Sequence, residues 1–132
     1  MYIYIGGAFN GKRQYVLNHY KGYNTLMFDG NMPKDEVFAK EDVVIVARFE
    51  EILLPLQQIG EEKAAQTIFE QLVALTGQAT VVCICTDIGR GIVPIDAVQR
   101  FVRDACGRLY QLLFQQSDTV IRIWYGLPQT IK

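Results

Sequence analysis

The sequence has no excess of charge of either sign and no long apolar run. Its 13 Lys and Arg residues stand against 14 Asp and Glu residues, which gives a formal net charge of −1. A nucleic-acid-binding domain needs a basic face to displace counterions, so we expect no nucleic-acid partner. No run approaches the roughly 18 apolar residues of a membrane span. Residues 1–5 lack the basic flank of a signal peptide, so we expect a cytoplasmic protein without a membrane span.

Cysteine and histidine are scarce. The 3 cysteines are Cys83, Cys85 and Cys106, and the 1 histidine is His19. An odd number of cysteines in a reducing compartment implies no disulfide framework. A Cys-x-Cys pair without a second cluster is a poor zinc signal, so we predict no metal ligands and expect buried cysteines.

The chain is rich in apolar residues, at 50% hydrophobic against 20% charged, and its 132 residues suit one packed domain over residues 1–132. Runs typical of buried strands alternate with segments of helical periodicity. Strands are predicted over 3–5, 25–28, 43–46, 80–85 and 119–125, and helices over 12–20, 61–75 and from 97 onward. This alternation predicts an α/β fold, a mostly parallel sheet with helices on both faces. Such sheets bind ligands in the loops at the carboxyl ends of their strands.

A glycine-rich loop follows the first predicted strand and precedes the first helix. It matches the pattern G-x-x-x-x-G-K, whose backbone N–H groups and helix N-terminus bind phosphate oxygens while the lysine reaches the outer phosphates. A strand-to-helix turn that only packs is the other interpretation, and the context favours phosphate binding. The predicted nucleotide-binding residues are Gly6, Gly7, Ala8, Phe9, Asn10, Gly11, Lys12 and Arg13.

The usual supports for magnesium are missing. Arg13 occupies the position where a P-loop has the Ser or Thr whose hydroxyl holds Mg²⁺. The third predicted strand ends at Ala47, where P-loop enzymes usually have an acid. Glu50 and Glu51 follow, and we expect them to be solvated acids in the first turn of a helix. Magnesium is therefore a doubtful cofactor, and Arg13 offers its own positive charge near the phosphates.

Asp87 stands at the end of the fourth predicted strand, beside Gly89 and Gly91. A carboxylate there can accept a proton from an attacking hydroxyl or hold a cation. An Asp that only bonds nearby turn N–H groups is the equally weighted alternative. Lys12 and Asp87 are the predicted catalytic residues.

The long helix after Asp96 contains Arg103, Arg108 and Gly107. We expect Arg103 and Arg108 to form ion pairs, for example with Asp104 or Asp118. Gly107 costs a helix about 1 kcal/mol relative to Ala, which suggests a close packing contact at that position.

Four aromatic residues flank two predicted strands. Tyr2 and Tyr4 flank the first strand, and Trp124 and Tyr125 end the last. Such rings either stack on a base or a corrinoid face, or pack in a core or an interface. We favour packing.

Three segments together carry a family resemblance. Residues 87–94 are similar to the E-V-G-x-G-I-V-P part of the signature of bifunctional adenosylcobinamide kinase/adenosylcobinamide-phosphate guanylyltransferases, which act in cobalamin biosynthesis. Residues 101–104 with Gly107, Arg108 and Gln111 resemble the F-R-D…G-R-x-N-Q helix of that family. Residues 6–12 resemble its G-G-A-R-S-G-K loop, and the tail with Asp118, Gly126 and Lys132 also fits. The resemblance covers the first dozen residues and residues 80–132.

The resemblance implies a RecA-like P-loop fold, GTP or ATP at the glycine loop, and a corrinoid alcohol, adenosylcobinamide, as phosphoryl acceptor. It also implies a homotrimer, and a histidine after the second strand that becomes guanylylated.

The chain departs from the family at several of these positions. Between Phe28 and Val43 it has no histidine, and Thr86 and Tyr110 replace the asparagines of the two carboxy-terminal motifs. We therefore expect guanylyl transfer to be lost. Two functions remain open: a nucleotide-dependent kinase of adenosylcobinamide, or a catalytically inactive nucleotide-binding or regulatory protein derived from the family. A plain structural domain with an empty loop is a third reading.

Overall fold

The fold was taken from a computed structural model, which describes residues 1–7, 11–87 and 96–132. Along the chain the strands are β1 (Tyr2–Gly6), β2 (Asn24–Asp29), β3 (Asp42–Ala47), β4 (Thr80–Thr86), β5 (Thr119–Trp124) and β6 (Leu127–Thr130). The helices are α1 (Lys12–His19), α2 (Phe49–Leu53), α3 (Glu61–Leu75) and α4 (Ala97–Gln116), with a 3₁₀ helix at Leu54–Ile59. Each predicted strand and helix is confirmed to within one or two residues at its ends.

The six strands form one sheet in the order β2-β3-β4-β1-β5-β6. β1 to β5 pair in parallel, and only β6 runs antiparallel, against β5. The registers pair Gly6 with Thr86 and Asp29 with Ala47. The carboxyl ends of β1, β2, β3 and β4 therefore meet at one edge of the sheet.

Helices cover both faces of the sheet, as predicted. Alternate residues of the strands point to opposite faces. On one face Val43 and Ile45 pack with Val16 of α1. On the other face Val44 and Val46 pack with residues of α2, α3 and α4, among them Leu53, Leu72 and Leu109. Among the described residues, α1 is thus the one helix on the first face, while three helices share the other.

Turns and caps follow the sequence signals. The Asp96 carboxylate accepts hydrogen bonds from the backbone N–H groups of Val98 and Gln99, which caps α4 as expected. Pro55 lies in the first turn of the 3₁₀ helix, where the chain kinks after α2. Gly30 has a positive φ of 83° after β2, and its N–H donates to the carbonyl of Ala47 at 2.8 Å. These contacts hold the ends of β2 and β3 together.

None of the helices in residues 1–7, 11–87 and 96–132 is long and apolar enough to cross a membrane.

Candidate functional site

A cavity of about 590 Å³ opens at the carboxyl edge of the sheet, between the first turns of α1 and α2 and the ends of β3 and β4. Its volume lies in the usual range of small-molecule sites. It is lined by Gly11, Lys12, Arg13, Gln14, Leu17, Ala47, Arg48, Glu50, Ile84 and Thr86. Three of these, Gly11, Lys12 and Arg13, belong to the predicted nucleotide-binding loop.

The glycine loop joins β1 to α1, as the motif predicts. Gly6 ends β1, and Gly11 precedes Lys12 at the start of α1 with a positive φ of 73°, a backbone conformation that favours glycine. In the described part of the chain no side chain caps the N-terminus of α1. The first turn of α1 lines the cavity, and the N–H groups of a helix N-terminus suit an anion. The predicted binding residues Ala8, Phe9 and Asn10 lie outside the described residues.

Lys12 is buried at the entrance of this loop, with a relative exposure of 8%. Its Nζ donates a hydrogen bond to the carbonyl oxygen of Gly7 at 3.0 Å. Burial lowers the pKa of Lys12, and the nearby negative charge of Glu50 acts in the opposite direction. A cation held inside the loop at this depth is suited to meet the outer phosphates of a nucleotide.

Arg13 and Arg48 share one carboxylate. Arg13 Nη2 lies 2.9 Å from Asp29 Oδ1, and Arg48 Nε lies 2.8 Å from the same oxygen. Burial pushes the pKa of Asp29 up, but the hydrogen bonds and charges of the two arginines outweigh it, so the pKa lies below its ordinary value. These three residues come from α1, β2 and the residue after β3, and only the fold brings them together.

Glu50 corrects an expectation from the sequence. It lies in the first turn of α2, as predicted, but it lines the cavity and its Oε2 is shielded from solvent. Within the described residues this oxygen has no hydrogen-bond partner. Glu51 next to it is exposed, as expected. The two acids differ because consecutive residues of a helix point about 100° apart, so only one of them faces the cavity.

No sequence signal marked Glu50 as a site residue. The positive φ of Arg48 is uncommon for a non-glycine residue, and no sequence motif predicts it. Two adjacent acids at a helix start are already explained by the helix dipole. The missing acid at Ala47 is the only hint that another carboxylate takes a place in this cavity.

Asp87 follows β4 directly after Thr86, which lines the cavity. Its backbone N–H donates to the Gly6 carbonyl at 2.9 Å, so the end of β4 is tied to the glycine loop. The rest of that signature, residues 88–94 with Gly89 and Gly91, lies outside the described residues. The role of Asp87 stays a prediction.

Thr86 and Tyr110, which replace two family asparagines, contact each other. The Tyr110 hydroxyl donates to the Thr86 carbonyl oxygen at 3.1 Å, and the ring packs edge-on against Phe49. α4 is thereby fastened to the strand end that borders the cavity. The bond depends on the tyrosine alone, because its acceptor is a backbone carbonyl that any residue at position 86 supplies.

His19 lies at the other end of α1. Its ring stacks on Tyr15 and meets Tyr20 edge-on, and it lines a separate cavity with Tyr2, Tyr4 and other residues. It is thus remote from the described part of the glycine loop, at the carboxyl terminus of the helix that this loop begins.

The aromatic residues of the first and last strands behave differently. Tyr4 is buried and its hydroxyl lies 3.0 Å from that of Tyr20, so packing is confirmed there. Trp124 and Tyr125 are 55% and 76% exposed, so they do not pack in the core of this chain. The next residue, Gly126, approaches Gly11: a Cβ on Gly11 would lie 3.6 Å from the Gly126 Cα. The backbone that follows these two exposed residues therefore approaches the end of the glycine loop.

Arg103 and Arg108 of α4 are paired, although not entirely as expected. Arg103 bonds Asp104 at 2.9 Å, whereas Arg108 pairs with Glu61 and Glu62 of α3 at 3.1 and 3.3 Å. Asp118 instead pairs with the amino group of Met1 at 2.7 Å. A Cβ added to Gly107 would meet no atom of the described residues within 4 Å, apart from its own helix backbone, so the predicted close packing contact at Gly107 is wrong.

Cysteines and carboxylates form no metal cluster in the described part of the chain. Cys83, Cys85 and Cys106 are buried free thiols, as predicted. No group of three or more His, Cys, Asp or Glu side chains there is placed to hold a metal ion.

Comparison with protein-family models matches residues 31–131, more than two thirds of the chain, to the family described as cobinamide kinase / cobinamide phosphate guanyltransferase. The match includes the Asp87 signature and the whole of α4, and it begins after the glycine loop and β2. A search of curated proteins found no match.

Proposed function

The chain belongs to the cobinamide kinase / cobinamide phosphate guanyltransferase family, and from that premise we propose that it binds GTP or ATP at the glycine loop and transfers the terminal phosphoryl group to adenosylcobinamide. Family membership supports a P-loop-like α/β fold and a place in cobalamin biosynthesis. The observation that carries the nucleotide site is Lys12, buried at the start of α1 and aimed along the loop toward Gly7 at the mouth of the strand-end cavity.

Phosphoryl transfer requires mainly positioning and neutralisation of charge. The acceptor hydroxyl oxygen forms a bond to the terminal phosphorus, the bond from that phosphorus to the bridging oxygen breaks, and the hydroxyl proton passes to a base. Lys12 and the N-terminus of α1 are placed to neutralise phosphate charge. The shielded carboxylate of Glu50 is the group in the cavity suited to receive the proton, with Asp87 at the end of β4 as the second candidate.

Trp124 and Tyr125 are exposed and directly precede Gly126, whose backbone approaches Gly11, and we assign the base of the nucleotide to these rings. Trp124 and Tyr125 lie 5.9 Å apart between ring centroids, and Arg122 sits 5.4 Å above the Trp124 ring. Stacking on an aromatic ring tolerates either guanine or adenine, because both have a flat π face. This arrangement supports nucleotide binding without a preference between GTP and ATP.

The resemblance implies a histidine after the second strand that becomes guanylylated, and this chain has none there. The segment between β2 and β3 contains no histidine, and the chain's only histidine, His19, lines the separate cavity at the other end of α1. We propose that this half of the family's activity has been lost.

A catalytically inactive nucleotide-binding or regulatory protein is the second candidate. The observation that favours it is Arg13, which stands where a P-loop kinase has its magnesium-binding hydroxyl and is paired with Asp29. A protein of this kind retains the nucleotide site and loses turnover.

The first experiment measures binding and turnover separately. Melting of the purified protein is followed with GTP and with ATP, in Mg²⁺ and in EDTA. A ligand at about 100 times its Kd stabilises the fold by roughly 2.7 kcal/mol, which is a shift of several degrees in a chain of this size. Lys12→Met should abolish the shift, while Lys63→Met on the exposed side of α3 should preserve it.

Turnover is measured with adenosylcobinamide and either nucleotide, by chromatographic detection of the phosphorylated corrinoid. Product that disappears in Glu50→Gln supports the kinase, whereas stabilisation without product supports the inactive protein. A wild-type chain that no nucleotide stabilises in either buffer contradicts both. Light scattering on the same samples tests the proposed homotrimer.

A further inference from the structure

The strand-end cavity holds more positive than negative side chains. Lys12, Arg13 and Arg48 line it or its rim, against Glu50 and the nearby Asp29. These five groups sum to one net positive charge, and the N-terminus of α1 adds the positive end of a helix dipole. The site therefore favours an anion.

The two arginines are held in place before any ligand arrives. Each uses one nitrogen for Asp29 Oδ1, at 2.9 Å from Arg13 and 2.8 Å from Arg48. A guanidinium has five N–H donors, so one such contact leaves donors for another oxyanion. Both side chains are about half exposed, at 46% and 52%, and so remain open to a ligand.

The backbone fixes the second arginine. Arg48 has a φ of 56°, a conformation that non-glycine residues adopt at a cost of about 1 kcal/mol or more and that clusters at functional sites. A Cβ on Gly30 would come within 3.2 Å of Arg48 Nη2, so the glycine leaves the space that this guanidinium occupies. Both features orient Arg48 toward Asp29 at the cavity rim.

Magnesium does not fit this donor set. The position of the P-loop hydroxyl is Arg13, the end of β3 is Ala47, and the shielded acid Glu50 already acts on Lys12. Three cations within one cavity also oppose the approach of a fourth. Magnesium at a nucleotide site is usually held by one or two carboxylates together with the phosphates, and the two positions that normally supply its protein ligands carry Arg13 and Ala47.

We propose that Arg13 and Arg48, fixed by Asp29, form an arginine clamp for the phosphate chain of the nucleotide and replace the charge that Mg²⁺ supplies in other P-loop proteins. The inference rests on the proposed nucleotide site and specifies how that site works: the phosphates bind without metal. Guanidinium groups suit this role because their planar fork binds phosphate oxygens in pairs and keeps its charge at any physiological pH.

The test is calorimetric titration with GTP, ATP and inorganic tripolyphosphate, each in EDTA and in Mg²⁺. For the wild type we expect an affinity in EDTA equal to or above that in Mg²⁺, because the metal neutralises the charge that the clamp recognises. Arg13→Ser and Arg48→Ala should each lower the affinity in EDTA by at least tenfold, and Arg13→Lys should recover part of it. Arg108→Ala, a similarly exposed and ion-paired arginine on α4, should change nothing.

The outcomes separate the clamp from the nucleotide site. Wild-type binding that falls tenfold or more in EDTA overturns the clamp and leaves the nucleotide site standing. Full affinity in both Arg13→Ser and Arg48→Ala also overturns it. Binding of tripolyphosphate but of neither nucleotide supports the clamp and refutes the nucleotide site, and no binding by any of the three probes refutes both. Melting curves without ligand verify that each variant is folded.

Discussion

Replacing Gly107 by alanine should stabilise this protein. Gly107 lies in the interior of the 20-residue helix α4 and is exposed. An added Cβ would meet nothing within 4 Å, and the residue has no positive φ. The native backbone thus accepts alanine without strain, and only the flexibility of the unfolded chain changes.

The magnitude follows from helix propensity. Glycine in an exposed helix interior costs about 0.8 to 1 kcal/mol relative to alanine. No lost contact offsets the gain, because the space around the new methyl group is open. For a chain of this size that corresponds to a rise in Tm of roughly 3 to 5 °C.

Gly60→Ala is the matched control. Its added Cβ also meets nothing within 4 Å, but Gly60 has a φ of 85° and ψ of 161°, a region that essentially only glycine occupies. The same chemical change should therefore destabilise the fold by about 1 to 3 kcal/mol. If the two substitutions change the free energy of unfolding in opposite directions, the backbone conformation is the cause, because the space around both positions is equally open.

Both variants are compared with the wild type by reversible urea unfolding, followed by circular dichroism at low protein concentration. Equal m-values show that unfolding exposes the same amount of surface in the wild type and in each variant. If Gly107→Ala destabilises the fold, or if both alanines shift it in the same direction, the open space and the backbone angles read from the structure are wrong.

Three further predictions concern the site and its supports. Asp29→Asn should lower the free energy of unfolding at pH 5 to 7, and its difference from the wild type should shrink as pH falls below about 4. The pKa of Asp29 is depressed in the folded protein, so its stabilisation is present above the unfolded pKa and is lost as pH falls through the folded pKa. A difference in urea midpoints that does not depend on pH would contradict this. The three thiols should not react with a disulfide reagent at pH 8 until guanidinium unfolds the chain, because all are buried and burial raises the pKa of Cys83 and of Cys106 to about 12; rapid labelling of native protein would refute their placement. Tyr110→Phe should lower the free energy of unfolding by about 1 kcal/mol, because the hydrogen bond to the Thr86 carbonyl is lost. The same urea titration measures this, and Tyr125→Phe is an exposed control that should have no effect.

Much of the fold was predictable because its signals are local. Val43 to Val46 form a continuous apolar run, as a strand covered on both faces requires. Glu61–Leu75 has its acids in the first turn and its apolar residues on one side, and the helix has those bounds. The glycine loop, too, lies where its motif and its flanking elements predict it.

The contents of the cavity were less predictable, since they depend on residues distant in the chain. Arg13 was expected near the phosphates, but its partnership with Asp29 and Arg48 joins three separate elements. Glu50 was expected in solvent, but it lines the cavity and its Oε2 is shielded. Gly107 was expected in a close contact, and α4 turns that position toward open space.

The sequence by itself determined the order of strands and helices, the parallel sheet and the position of the glycine loop, because periodicity and turn chemistry act over a few neighbouring residues. Only the tertiary structure decided which charged groups meet at the carboxyl ends of the strands. These contacts depend on the order of the strands within the sheet and on the uncommon backbone conformation of Arg48. Neither of these produces a periodic pattern in the sequence.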